Sequence, residues 1–199
     1  MSQFTLRLRA RLPAALELSD SQLALLENHF SLLVSWNKRL NLTRITDVQG
    51  AIERHYMESL FLANLLPKHP FSLIDAGSGA GFPGIPVAVA LPWASVSLAE
   101  SDARKAVFLK EAACKLPNVE VEAKRISGLS SCWDWLASRA VKWRDLMPWA
   151  STHVQRVALL TTATEAESIR RKYCLPLSVH RLGSAGDRVV AIGYVPRGT

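Results

Sequence analysis

Residues 71–86 read FSLIDAGSGAGFPGIP. Phe71, Leu73 and Ile74 form an apolar run of the length of a short buried strand, and Asp75 closes it. Gly77, Gly79, Gly81 and Gly84 then place four glycines within eight residues. Pro83 and Pro86 stand where the first turn of a helix tolerates a missing N–H. The stretch therefore predicts a strand, a glycine turn and the start of a helix. Glycine loses more conformational freedom on folding than any other residue. Such a cluster in an apolar setting points to a molecule that must approach the backbone closely.

Outward from this loop the pattern alternates. Apolar runs at 95–100, 119–123, 133–137 and 157–160 read as further strands, and residues 83–91, 104–116 and 165–172 as helices, with Val107, Phe108 and Ala112 turned inward in the second of these. Two late runs, 178–182 and 189–195, flank GSAGD, a hairpin signal. Alternation of this kind predicts an α/β fold with a doubly wound, Rossmann-like, mostly parallel sheet, and the final hairpin adds one antiparallel strand. Residues 1–66 read as an N-terminal helical extension and 67–199 as the sheet domain. Ser19 is a candidate N-cap for a long helix carrying Leu23, Leu26, Phe30, Leu33 and Val34, which ends between Asn37 and Asn41. Asp47 caps a second helix that runs towards Pro67. Within it, Arg54 and Glu58, and His55 and Ser59, are four residues apart and share faces. The simplest reading is a surface ion pair and a capping histidine.

The chain of 199 residues is 49% hydrophobic, enough for a substantial core. No run of about 18 uncharged apolar residues predicts a membrane span, and the basic start lacks the apolar stretch of a secretory signal. Cys114, Cys132 and Cys174 are odd in number and widely separated, and the five histidines are scattered. Neither a disulfide framework nor a metal site is expected, which suits a cytoplasmic protein. The net charge of +7, with most of the excess between residues 101 and 181, favours a polyanionic partner.

Gly79-Ala80-Gly81-Phe82-Pro83-Gly84 matches the dinucleotide pattern G-x-G-x-x-G, and Glu100 lies where a ribose-binding acid would. An NAD(P)-dependent oxidoreductase is thus one reading. Against it, Asp75 would repel a pyrophosphate. The glycines also read as G-x-G-x-G from Gly77, which moves the tight turn earlier. An acid followed by G-x-G-x-G suits S-adenosylmethionine, which carries an ammonium and a sulfonium and no phosphate. Asp75 would lie near the positive end, Gly77 and Gly79 would let the backbone approach, and Glu100 would accept both ribose hydroxyls.

These residues resemble a known family, that of ribosomal RNA small subunit methyltransferase G (RsmG, or GidB). The resemblance rests on WNKRLNLT at 36–43, RHYMES at 54–59, DAGSGAGFPGIPVA at 75–88, ESDARKAVFL at 100–109 and Ser138-Arg139-Ala140. It implies a class I S-adenosylmethionine-dependent methyltransferase that modifies N7 of one guanine in 16S rRNA of the small ribosomal subunit. Nothing in the sequence demands a dimer, so a monomer is expected. By position the resemblance assigns Gly77 and Phe82 to the cofactor loop, Ile126 and Ser127 to the backbone that holds the adenine, and Arg139 to the residue closing the site, and it packs His55 of the RH motif near the glycine loop. Glu100 stands where the family usually has Asp, Leu160-Thr161-Thr162 where it usually has Leu-Lys-Gly, and Gly193 where lysine is common. The last two departures remove positive charge, and Thr161-Thr162 leaves open a non-catalytic RNA-binding relative.

Guanine N7 carries a free lone pair at neutral pH, so the implied reaction needs no general base and depends on positioning. Arg139 is then an orienting group, with an ion pair to Asp134 or Asp145 as the structural alternative. Lys124, Arg125, Lys142 and Arg144 are candidate RNA phosphate contacts. Trp143, between the last two, either stacks on a base or enters the core at a helix start.

Overall fold

A computed structural model describes residues 2–13, 15–183 and 186–195. Its centre is one seven-stranded sheet: β1 (Phe71–Ala76), β2 (Ala94–Ala99), β3 (Val119–Glu122), β4 (Trp133–Arg139), β5 (Val154–Thr162), β6 (Leu177–Arg181) and β7 (Arg188–Tyr194). The spatial order is β3-β2-β1-β4-β5-β7-β6. Strands β1 to β5 pair in parallel, and β7 runs antiparallel to both β5 and β6. The predicted single antiparallel strand is therefore β7. The turn GSAGD includes Ser184 and Ala185, which lie outside the described residues.

Side-chain alternation divides the sheet between two apolar layers. Leu73, Trp135, Ala137, Ala158, Leu160 and Val190 face a layer shared with α1 (Gln3–Arg9), α2 (Asp20–Leu40), α4 (Met57–Leu65), α5 (Gly84–Ala90) and α6 (Ala103–Ala112). Ile74, Leu136, Val157, Val189 and Ala191 face α7 (Trp143–His153) and α8 (Ala163–Tyr173). The first layer is continuous from Phe4 to Val190, so the N-terminal helices form one wall of the core.

Ser19 caps α2 as the sequence predicts, and Gln22 completes the capping box by accepting from the Ser19 N–H. Asn41 ends the helix in the left-handed region at φ 44°. Asp47 caps the short α3 (Val48–Ala51), whose axis continues into α4 through one widened π turn, Ile52–Tyr56. Periodicity does not report such a turn; it is frequent at functional sites. One reading needs correction, and one open choice is decided. Val107 is 54% exposed, because α6 turns Phe108 and Ala106 to the core instead. Trp143 is 3% exposed and packs with Leu146 and Trp149 of α7, so it is a core residue and unavailable for stacking on a base. The sequence offers helix α7 only through a helix start at Trp143, and Pro148 inside it hides the rest. Its buried Leu146, Trp149 and Ala150 hold the helix against the sheet despite the lost bond.

Candidate active site

The glycine turn lies at the carboxyl ends of β1 and β2, where open α/β sheets form their ligand crevice. Gly77, Gly79 and Gly81 all have positive φ, at 72°, 54° and 85°. The Gly77 and Ser78 N–H groups both donate to the Ala99 carbonyl at 2.9 and 3.1 Å, which ties the turn to the end of β2. Ser78 Oγ donates to the Asp75 carbonyl at 2.9 Å.

Two carboxylates brace the turn. Asp75 is fully buried, and its Oδ2 accepts the Gly84 N–H at 2.9 Å, joining the strand to the first turn of α5. Among the described residues its Oδ1 is buried without a partner. Burial pushes the Asp75 carboxyl up to about 7, although the Gly84 bond opposes the shift. Glu100 follows β2, its Oε2 accepting from Gly79 N–H at 3.0 Å and its Oε1 from Asp102 N–H at 2.8 Å. Glu100 thus sets the height of the turn and opens α6, and each oxygen keeps a lone pair for a further donor.

Beside the turn lies a cavity of about 250 Å³. Gly77, Ser101, Lys124, Ile126, Ser127 and Val141 are among its walls, so three sequence-predicted segments meet there. Lys124, Arg125 and Ser127 are exposed at its mouth and Ile126 is half-buried. Lys142 and Arg144 are exposed beyond the cavity, and Arg144 Nε pairs with Asp145 at 3.5 Å.

Arg139 ends β4 and turns towards the N-terminal helices. Its partner is neither Asp134, which accepts from Ser72 N and Oγ at 2.8 Å, nor Asp145. Its Nη1 donates to His55 Nδ1 at 2.9 Å, and its Nε is 3.8 Å from Glu58 Oε2. A guanidinium only donates, so His55 Nδ1 is unprotonated and Nε2–H donates to Thr43 Oγ1 at 2.8 Å. Burial, reinforced by the Arg139 charge, lowers the imidazole to about 4, so His55 is neutral. Asn37 closes the turn before it by accepting from Thr43 N–H and donating to its carbonyl, both at 2.9 Å. WNKRLNLT is therefore a bracket that aims Thr43 at His55.

Arg54, His55 and Glu58 are consequently parts of the site: the reading of a surface pair with a capping histidine is corrected, and His55 packs against the glycine loop as the resemblance implies. Glu58 is 4% exposed. Besides Arg139 it faces Arg188 Nη2 at 2.6 Å and Arg54 Nε at 4.0 Å. Phe82 is buried, and its ring stacks on His55 with centroids 4.6 Å apart, so its side chain faces the N-terminal helices.

One relay is absent from the sequence reading. Tyr56 O–H donates to His29 Nδ1 at 2.9 Å, and His29 Nε2–H donates to the Ala80 carbonyl in the glycine turn at 3.0 Å. Both are buried, and burial lowers the His29 imidazole to about 4, so it bridges as a neutral ring. A histidine in the apolar stripe between Leu26 and Leu33 was the available signal. Among the described residues no helix is long and apolar enough to cross a membrane.

The order 3-2-1-4-5-7-6, with a glycine turn after the first strand, places the chain among proteins with the methyltransferase fold. It superposes on magnesium protoporphyrin IX methyltransferase from Synechocystis PCC 6803, solved with bound SAM, with a TM-score of 0.62 at 10% identity, over 83% of this chain and 96% of that one. The chain belongs to the rRNA small subunit methyltransferase G family, whose model matches residues 22–169. It is 41% identical over 111 residues to ribosomal RNA small subunit methyltransferase G of Chloroflexus aggregans, covering 55% of this chain and 47% of that protein. It is 38% identical over 130 residues to the protein of the same name from Chromobacterium violaceum, covering 63% and 62%. The chain thus matches between about half and three fifths of the length of these relatives.

Proposed function

We propose that the protein transfers a methyl group from S-adenosylmethionine to N7 of a guanine in 16S rRNA of the small ribosomal subunit, as a cytoplasmic monomer. The observation that carries the reading is the cradle itself: a glycine turn with positive φ, closed by Asp75 and Glu100, at the mouth of a cavity. It fits the cofactor on a structural test. Asp75 Oδ1 is an orphaned, buried acceptor, which suits an ammonium and would repel a pyrophosphate. That disfavours the NAD(P) reading. Residues 67–199 would hold the cofactor, and residues 1–66 would brace its loop through His29 and His55.

When bound, S-adenosylmethionine supplies a methyl group on a positively charged sulfur. Asp75, Gly77 and Gly79 would hold its amino-acid end, Glu100 its ribose, and Ile126 and Ser127 its adenine. Phe82 would support the turn from behind by stacking on His55. Arg139 would orient the guanine with its free N–H groups. No general base is required, since N7 already presents its lone pair. Lys124, Arg125, Lys142 and Arg144 form an exposed basic rim suited to RNA phosphates. Transfer of labelled methyl to small-subunit RNA that lacks the mark, with the modified position mapped, tests the proposal. Cofactor binding without transfer to RNA or subunits would favour a non-catalytic relative.

The raised Asp75 carboxyl adds a pH signature. A cationic ligand favours the ionised form, so below about 7 binding must also remove a proton. Affinity for S-adenosylmethionine should therefore fall roughly eightfold from pH 7.5 to pH 6 by linkage. Asp75→Asn should bind more weakly at pH 7.5 and show a flat profile. Titration calorimetry reads both, and an equally steep profile in Asp75→Asn would reject the assignment.

A further inference from the structure

Two cavities are reached by the neighbours of Arg139. Val141, two residues on, lines the small one beside the glycine turn. Glu58, the ion-pair partner of Arg139, lines a larger one of about 780 Å³. This second cavity also lies at the carboxyl edge of the sheet: Arg188 on its wall pairs in register with Thr162, the last residue of β5. None of the candidate RNA contacts read from the sequence lines it.

Its chemistry is that of an oxyanion site with an apolar flank. Arg11, Arg54 and Arg188 supply three guanidiniums to its wall. Two acids oppose them. Glu53 lies 3.8 Å from Arg11 Nη2, and Glu58 is shared among Arg54, Arg139 and Arg188. One carboxylate among three guanidiniums leaves a surplus of positive charge. It also leaves donors: among the described residues Arg188 Nε is buried without a partner, and Arg54 touches Glu58 only at 4.0 Å with its side chain 55% exposed. The widened turn Ile52–Tyr56 carries Arg54, so the irregularity in the helix lies at this wall. Met57 and Phe61, half-buried on the next turns, supply a surface for a ribose or base.

We propose that this cavity seats a nucleotide of the RNA substrate next to the target guanine, with its phosphodiester held by Arg54 and Arg188. The inference rests on the RNA methyltransferase reading above. It places the polynucleotide on the β7 side of Arg139, opposite the cofactor cavity, so that Arg139 is flanked by donor and acceptor. Glu58 keeps the guanidiniums from repelling one another when the phosphate is absent.

The test uses the full chain, small-subunit RNA from cells lacking this modification, and inorganic phosphate as a second probe. Arg54→Gln removes an exposed side chain whose contact with Glu58, at 4.0 Å, is the longest of the three. Arg188→Lys keeps the charge and removes the Nε donor. Arg171→Gln is the control, a basic residue on α8 that pairs with Glu167. Arg54→Gln should weaken RNA binding roughly tenfold and reduce the salt dependence by about one phosphate. Its melting temperature and its affinity for S-adenosylhomocysteine should not change. Arg188→Lys should weaken RNA binding as well, and Arg171→Gln should not. Unchanged RNA affinity and salt slope in Arg54→Gln would overturn the inference. So would an equal loss in the control, or a change in phosphate binding without one in RNA binding. If the unaltered protein binds no small-subunit RNA, the methyltransferase reading fails first and this inference with it.

Discussion

Gly84→Ala is expected to lower the melting temperature by roughly 4–12 °C and to weaken cofactor binding. A methyl group at Gly84 would lie 2.2 Å from Leu98 Cδ2, 2.8 Å from Asp75 Oδ2 and 3.1 Å from Asp75 Cβ. Leu98 is fully buried on β2 and has no room to withdraw. Overpacking of this kind costs about 2–3 kcal/mol. The strain falls on the Gly84 N–H bond that holds Asp75, so the fold and the site suffer together. Gly79 makes the opposite demand. A Cβ there meets nothing nearer than the Gly77 carbonyl oxygen at 3.7 Å, and only the positive φ of 54° is strained. Gly79→Val should therefore act on the cofactor approach far more than on packing. A thermal melt and a titration on each variant separate the two, and a Gly84→Ala protein that melts like the original would refute the packing argument.

Glu58→Ala is the second large effect. The carboxylate is 5% exposed as a side chain and neutralises Arg139 and Arg188, whose side chains are 16% and 31% exposed. Without it two guanidiniums face each other in a poorly hydrated space. Breaking a buried pair by removing one partner costs about 3–5 kcal/mol. The partial exposure of Arg188 places the expectation near the lower end, about 3 kcal/mol, or a fall of roughly 6–12 °C in melting temperature. Removing Arg188 as well should recover part of the loss, because the repulsion goes with it. A double-mutant cycle over Glu58→Ala and Arg188→Ala measures that coupling. Strictly additive losses would show that the two do not act as a pair.

What the sequence makes legible is local or periodic. The strand, the glycine turn, Asp75, Glu100 and the Ser19 cap are each announced by neighbours within a few residues. So is the antiparallel last strand, through the turn signal before it. Arg54 and Glu58 escape for a physical reason. Helical spacing places charged residues on the outer face. The groups that let Glu58 go inside are Arg139, on another element, and Arg188, 130 residues away. Nothing nearby in the chain records them. Trp143 stays open for a different reason: an aromatic ring between two basic residues satisfies both a stacking pattern and a first helical turn. Only the packing of α7 on the sheet decides for the core.

The span between Glu58 and Arg188 also sets a clock. At synthesis rates of roughly 5–20 residues per second, 130 residues take about 6–26 seconds to emerge. Until then Glu58 has no Arg188, and β5 has no β7 along its open side. The glycine loop is synthesised early, yet the ionic wall beside it is completed only by the last strand described. A nascent chain therefore carries its glycine turn well before it carries the finished wall beside it.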